Sequence, residues 1–211
     1  MYYICCAGLG YLIGSVSPSY ILSKVKKVDI RKSGTKNLGA SNTFMHFGRG
    51  WGVFVMLFDI FKAFLAVKLC QWLFGEYALS GLIAGGCSVI GHNYPFYLGF
   101  RGGKGLASFG GWVLGVSPLL FLILLVLCLA IAFVFNYGFT MAISAAVLFP
   151  ILVGLKYRSL VAGIVAAVLC LSMFIKHTQN FKRVIQGEET KFRTFISKYI
   201  IKLSGRSEKA E

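Results

Sequence analysis

Trp112-Val-Leu-Gly-Val-Ser-Pro-Leu-Leu-Phe-Leu-Ile-Leu-Leu-Val-Leu-Cys-Leu-Ala-Ile-Ala-Phe-Val-Phe135 runs through 24 residues without one charged side chain. A helix needs about 20 apolar residues to cross the hydrocarbon core of a bilayer. The stretch therefore reads as a membrane span, and it has company. Residues 2–23, 51–74, 78–98, 139–155 and 160–175 form further apolar runs of spanning or near-spanning length. Of the 211 residues, 57% are hydrophobic, and the mean hydropathy is +0.74. A soluble domain of that size has too little interior to hide so much apolar surface. The expected fold class is all-α, a polytopic bundle of integral membrane helices. The first run lacks a basic start and a small-residue cleavage site, so it reads as a span rather than a signal peptide. Residues 1–198 are expected to form a single membrane-embedded domain, followed by a polar tail at 199–211.

Just upstream of the opening stretch lies Gly91-His92-Asn93-Tyr-Pro-Phe-Tyr-Leu-Gly-Phe-Arg101-Gly102-Gly103-Lys104-Gly105-Leu-Ala107. An apolar helix runs into a proline and an aromatic cluster, and then into three glycines flanked by two cations. Glycine has no Cβ, so backbone N–H groups can converge on an anion at the foot of the next helix. An anion site at a membrane rim suits a substrate that is phosphorylated at one end and lipid-like at the other.

The formal net charge of +15 is concentrated at span ends. Seven cations lie from Lys24 to Arg49, and a second run extends from Lys176 to Lys209. The positive-inside rule puts both runs, and the Arg101/Lys104 loop, on the cytoplasmic side, with the N-terminus outside and the C-terminus inside. A nucleic-acid partner is not expected, because the cations flank spans and no soluble domain remains to hold a duplex. The spans counted above create a parity conflict. Three crossings after the Arg101 loop would leave the basic C-terminal segment outside. Either one run after Trp112 is not a full crossing, or an extra short helix is present.

Acidic residues number seven, and none falls between Tyr77 and Gly187. A paired-carboxylate hydrolase or a carboxylate-held metal is therefore not expected. Asp59 and Lys62 stand three apart, on one face of a helix. Ionisable groups inside a membrane are functional candidates by default, yet the favoured reading of this pair is a self-neutralising strut that orders the bundle. The six cysteines fall in apolar runs without metal-site spacing and read as small buried hydrophobes.

Two more polar islands stand out. One begins at Gly14-Ser15-Val16-Ser17-Pro18 and continues through Gly34-Thr35-Lys36-Asn37-Leu38-Gly39-Ala40-Ser41-Asn42. Its alternation of glycines with hydroxyls, amides and cations suits an anion-wrapping loop. The other is Lys176-His177-Thr178-Gln179-Asn180-Phe-Lys182-Arg183, followed by Gly187-Glu188. His177 and Asn180 are one helical turn apart at the end of an apolar run.

The three islands, in this order and spacing, resemble the motifs of the bacterial acyl-phosphate:glycerol-3-phosphate acyltransferases, the integral-membrane PlsY family. The resemblance runs from Gly14 to about Lys191, and the string 91–107 is its most specific part. It implies about seven membrane helices, some short, and an active site facing the cytoplasm of a bacterial cell membrane. It implies transfer of a fatty acyl group from acyl phosphate to the 1-hydroxyl of sn-glycerol 3-phosphate, giving lysophosphatidic acid and phosphate. No acyl-CoA, acyl carrier protein, cofactor or metal is implied, and a monomer is expected. The reaction suits the residues: cations and N–H groups can hold two phosphates, and no nucleophile–base–orienter triad is evident.

Carried over residue by residue, Thr35, Lys104, His177 and Asn180 are the implied catalytic set. Gly34, Lys36, Asn37, Gly39, Asn42, Arg101, Gly102, Gly103, Gly105, Arg183 and Glu188 are the implied substrate and phosphate contacts. Ser15, Asp59, Lys62, His92 and Asn93 are implied supporting residues. The hydroxyl's proton is left to a substrate phosphate oxygen or to His177. This chain departs from the family pattern at five places, one of them the proline of the 14–18 motif, which is shifted by one position. Thr35 replaces a serine, Lys36 a glycine, Met45 an arginine and Thr178 an arginine. Those departures keep two alternatives open: a relative with an altered or lost acceptor, and an organic-anion or phosphate transporter.

Overall fold

Each break between the helices has a cause at the level of single residues. The computed structural model describes residues 1–198, so the expected polar tail at 199–211 lies outside the described residues. The chain forms α1 (Tyr2–Ser15), α2 (Pro18–Val25), α3 (Ala40–Phe47), α4 (Arg49–Leu73), α5 (Ser80–Asn93), α6 (Leu106–Val116), α7 (Pro118–Phe135), α8 (Phe139–Tyr157), α9 (Leu160–Ile185) and α10 (Phe192–Ile196). No strand is present among the described residues, and the all-α expectation holds. Tyr2–Val25, Pro118–Phe135, Phe139–Tyr157 and Leu160–Ile185 are long and apolar enough to cross a membrane, and Leu106–Val116 is a shorter apolar helix.

Three expected runs differ from the helices in where they break or end. The run 2–23 breaks at Val16–Ser17, because Ser17 Oγ accepts the Tyr20 N–H at 3.3 Å and Pro18 opens a new helix. The run 112–135 breaks at Ser117 for the same reason: its Oγ accepts the Leu120 N–H at 3.4 Å, and Pro118 takes the first helical position. The run 160–175 extends ten residues further, to Ile185, which places His177 and Asn180 on α9 itself.

The Ser117 break bears on the parity conflict, because four helices, α6, α7, α8 and α9, follow the Arg101 loop in place of three apolar runs. The loop and the end of α9 therefore meet at one end of the bundle, where Lys104 Nζ donates to Asn180 Oδ1 at 2.6 Å. The α7–α8 turn joins them there, through Phe192 N–H to Asn136 O at 2.8 Å and Lys191 Nζ to Tyr137 OH at 2.6 Å.

Small residues let the helices that carry the site approach closely. A Cβ on Gly10 or Gly14 of α1 would run into the α5 backbone at Ala84 or Ser88, and one on Gly111 of α6 would strike Ile60 O of α4. The rings of Phe109, Trp112 and Phe149 meet edge to face behind the site, with centroids 4.8–5.7 Å apart. Cys5 is exposed, contrary to expectation, because α1 turns it away from the buried Cys6.

Candidate active site

Two cavities meet at the end of the bundle where the polar loops gather. The first has a volume of about 740 Å³ and is walled by Arg31, Lys32, Lys36, Arg101, Lys104 and Lys176. Its single carboxylate, Asp29, is taken by Arg31 at 2.9 and 3.0 Å, and that hydrogen-bonded pairing holds the Asp29 carboxyl at about 2. The cavity is therefore a vestibule with a net cationic wall. The second, of about 1030 Å³, has a polar mouth and then descends between α4, α6, α7 and α8 past Met56, Ile60, Phe109, Leu124 and Met141. Thr35, Lys36, Asn37, Lys104 and Gln179 border both. The junction thus joins a cationic chamber to a groove fit for an alkyl chain.

Lys104 occupies this junction. Burial first, and then the nearby Arg183 charge, push its ammonium down to about 8. Asn180, on α9, organises the groups around it. Its Nδ2 donates to Glu189 Oε1 at 2.7 Å, so its Oδ1 is left to accept from Lys104 Nζ at 2.6 Å and from His177 Nδ1 at 3.2 Å. These partners assign the proton of the buried His177 ring to Nδ1. His177 Nε2 then carries a free lone pair, and this atom is buried with no hydrogen-bond partner. Arg183 pairs with Glu189 at 2.8 Å.

Glu188 borders the groove as expected of a contact residue, but Glu189 makes the bonds to α9. Gly187, with φ at +72°, reverses the chain after α9, so Glu189 meets Asn180 and Arg183 while Glu188 faces solvent at the groove mouth. Adjacent glutamates after a glycine cannot be told apart by spacing. Lys176 is the other residue that sequence reasoning left out. Its ammonium lies 4.2 Å over the Tyr94 ring and borders the vestibule. A cation ending an apolar run was the available signal.

The glycine loop is corrected. The Gly102 N–H donates to Asn93 O at 3.1 Å and the Gly103 N–H to His92 O at 3.0 Å, so neither is free for an anion. A Cβ on Gly103 would strike His92 Nε2, and one on Gly102 would strike His92 O. These two glycines let the loop lie flat on the end of α5. Gly105, at φ +88°, turns the chain into α6, whose N-terminus has no side-chain cap and borders the groove beside Leu106 and Ala107. Arg101 is exposed on the vestibule wall.

The loop 34–42 curls over the other side of the junction. Asn42 is 1% exposed and acts as the loop's internal staple rather than as a ligand group. Its Nδ2 donates to Ile30 O at 2.6 Å, and its Oδ1 accepts the Thr35 N–H at 2.9 Å. The Thr35 hydroxyl, by contrast, has no hydrogen-bond partner and borders both cavities with Asn37. Lys36 has φ at +55°, a left-handed conformation that is costly with a Cβ. Gly34 and Gly39 border the groove, as does Met45.

The supporting residues lie directly behind. Lys62 Nζ reaches Asp59 Oδ1 at 2.6 Å, Val16 O at 2.7 Å and His92 Nδ1 at 3.0 Å. Ser15 donates to Tyr11 O at 2.7 Å, and Ser15 O accepts from Tyr97 OH at 2.7 Å. Asn93 Nδ2 donates to Ser172 Oγ at 3.3 Å and ties α5 to α9. Among the described residues, no group of three His, Cys, Asp or Glu side chains could hold a metal ion.

Known proteins resemble this chain in sequence and in overall fold. A family model described as glycerol-3-phosphate acyltransferase matches residues 4–187. Glycerol-3-phosphate acyltransferases of Staphylococcus aureus, strains JH9 and Newman, are each 35% identical over 193 residues, covering 88% of this chain and 95% of theirs. A crystal structure of PlsY (YgiH), an integral membrane glycerol 3-phosphate acyltransferase, in its glycerol 3-phosphate form aligns with a TM-score of 0.83. It is 29% identical and covers 94% of this chain and 100% of its own. The lysophosphatidic acid form of that protein aligns at 0.80 with 27% identity, over 93% and 100% of the two chains.

Proposed function

Because this chain belongs to the glycerol-3-phosphate acyltransferase family, we propose that its two cavities are the two halves of one acyl-transfer site. The protein is an integral membrane acyltransferase that acylates glycerol 3-phosphate to give lysophosphatidic acid. The donor is an acyl phosphate, with its alkyl chain in the groove and its phosphate at the junction. Glycerol 3-phosphate enters through the vestibule, where Arg101, Lys176 and Lys36 hold its phosphate. The site faces the cytoplasm of a bacterial cell membrane, and α1 and α4–α9 make seven crossings, with residues 1–198 acting as one monomeric unit.

The chemistry needs positioning and charge stabilisation more than a covalent intermediate. The 1-hydroxyl oxygen attacks the acyl carbonyl carbon, and a new ester C–O bond forms. The carbonyl carbon's bond to the phosphate oxygen breaks, and phosphate leaves with that electron pair. The hydroxyl proton ends on the departing phosphate, which leaves as hydrogen phosphate. His177 Nε2 accepts the hydroxyl's hydrogen bond and aims its lone pair at the carbonyl carbon. Lys104, the uncapped N-terminus of α6 and the Thr35 hydroxyl stabilise the phosphate and the developing oxyanion. No acyl-CoA or acyl carrier protein is needed.

The observation that carries this reading is the shared border: Lys104, with Thr35 and Asn37, touches both the cationic vestibule and the apolar groove. The test is phosphate release by purified protein given palmitoyl phosphate with and without sn-glycerol 3-phosphate. Release that requires the acceptor, yields lysophosphatidic acid and disappears in Lys104→Ala is expected. Folded protein with no acceptor-dependent release would point to an altered acceptor, with Lys36 and Met45 as the first positions to revert.

A further inference from the structure

The groove has a floor, and we propose that Phe121, on α7, is the stop that sets the length of acyl chain the enzyme transfers. This inference rests on the acyl-transfer reading above and adds to it a residue that determines chain-length specificity.

The floor follows from how the helices close beneath the groove. Between α4 and α6 no gap continues past Gly111, because Ile60 O sits where a Gly111 Cβ would be, and Val67 similarly fills the space at Gly115. On the α8 side, Phe149 packs against Phe109 at 5.3 Å and Trp112 at 4.8 Å and shuts that direction. Descent is left only between α6 and α7. These two helices are joined by Ser117 alone, so they form a hairpin whose closed end lies at the far end of the bundle. Val113 stands one turn before that joint and Phe121 one turn after it, and both border the groove. The Phe121 N–H is tied to Ser117 O at 3.0 Å, which fixes the start of its turn.

The Phe121 ring crosses the remaining space. Its Cε2 lies 3.5 Å from where a Cβ on Gly110 would stand, an ordinary van der Waals separation. Gly110 also borders the groove, so the missing side chain there leaves room for an alkyl chain just above the ring. From Gly105 at the mouth to Val113 at the floor is eight residues of α6, about 12 Å of depth at ~1.5 Å per residue. That carries the chain's methyl end to around the middle of a bilayer about 30 Å thick. An alkyl terminus meeting a rigid aromatic edge is discriminated methylene by methylene, as apolar pockets discriminate substrates.

Two substitutions move the stop in opposite directions. Phe121→Ala removes it, and Gly110→Leu raises it by placing a side chain above the ring. Gly110→Leu also replaces a glycine inside a helix with a better helix former, so its fold is expected to survive. The measurement is the initial rate of lysophosphatidic acid formation from saturated acyl phosphates, decanoyl through stearoyl, with sn-glycerol 3-phosphate fixed. The ratio of stearoyl to myristoyl transfer is expected to rise about tenfold in Phe121→Ala and to fall about tenfold in Gly110→Leu. A chain-length profile that stays at wild type in both variants, or that drops uniformly at every length in both, overturns the stop. No transfer by the wild-type protein at any length would instead overturn the acyl-transfer reading itself.

Discussion

The protein contains two clusters that each join a lysine, a histidine and an acid, and they behave as opposites. Lys62, His92 and Asp59 form one; Lys104, His177 and Glu189, joined by Asn180, form the other. Lys62 has three N–H donors and three partners, at 2.6, 2.7 and 3.0 Å, and the cluster is 1–6% exposed. Lys104 has the same three donors, but among the described residues its one acceptor is Asn180. His177 Nε2 has no hydrogen-bond partner among the described residues. A lysine whose donors are all committed holds helices together. A lysine with donors to spare, beside an unpaired imidazole nitrogen and facing a cavity, is left free to bind a substrate.

The contrast is sharpest in stability. Lys62→Met leaves the Asp59 carboxylate buried without its closest cation, and removing one partner of a buried ion pair costs about 3–5 kcal/mol. The protein should unfold at a markedly lower temperature in detergent, and Asp59→Asn in the same chain should recover much of the loss. Lys104→Met, by contrast, should leave the melting temperature close to wild type. A Lys104 variant as unstable as the Lys62 variant would break the distinction between the clusters.

Activity should divide the other way. Lys104→Ala removes a preorganised cationic donor at the junction, and losing one such donor typically costs about 10²–10³-fold in turnover. Steady-state rates with palmitoyl phosphate and glycerol 3-phosphate measure it. A loss of only a few-fold would place the phosphate on Lys176 and Arg101 instead.

How much of this was legible beforehand depended on how local each feature is. The all-α membrane architecture came from the length of the apolar runs, a property each segment carries by itself. The breaks at Ser17–Pro18 and Ser117–Pro118 were also local, since a hydroxyl before a proline at a helix start is a capping signal, but the apolar residues on either side masked it. Lys104, His177 and Asn180 were named from motifs that lie far apart in sequence, and the fold brings them within hydrogen-bond reach. The fate of backbone donors was out of reach. Three glycines promise free N–H groups, yet whether Gly102 and Gly103 offer theirs to an anion or to the His92 and Asn93 carbonyls depends on how the loop lies on α5. Asn42 has the same history: its amide suits a ligand until the chain folds back and the loop's own backbone takes it.

The acidity of Lys104 separates the clusters again. Its ammonium, at about 8 rather than the ordinary 10.5, is intact at neutral pH and lost as pH rises through about 8. The donor's phosphate group, with a second pKa near 6 or below, keeps its charge across that range. The KM for acyl phosphate should therefore rise about tenfold between about pH 7 and about pH 9 as the lysine deprotonates. Arg183, Glu189 and Lys176 also face this group. Lys104→Arg isolates its share, because a guanidinium stays charged throughout and should flatten the profile. An equally steep rise in Lys104→Arg would assign the effect to one of those neighbours.

The smallest expected effect tests the acid of the open cluster. Asp59 pairs with a lysine at contact distance, whereas Glu189 makes its hydrogen bond to Asn180 and so fixes which end of the amide faces the Lys104 ammonium. Glu189→Gln keeps an oxygen that can accept from Asn180 Nδ2 but also brings an NH₂ group and loses the charge facing Arg183. It should lower turnover about tenfold, on the scale of a misaligned catalytic partner, with little change in melting temperature. Glu188→Gln, on an exposed side chain one residue away, should stay within about twofold of wild type. Measured side by side, the two isosteric changes differ only in which glutamate the Gly187 turn presents to α9. Equal losses would mean that general negative charge near the groove mouth matters, and that the orientation of Asn180 does not.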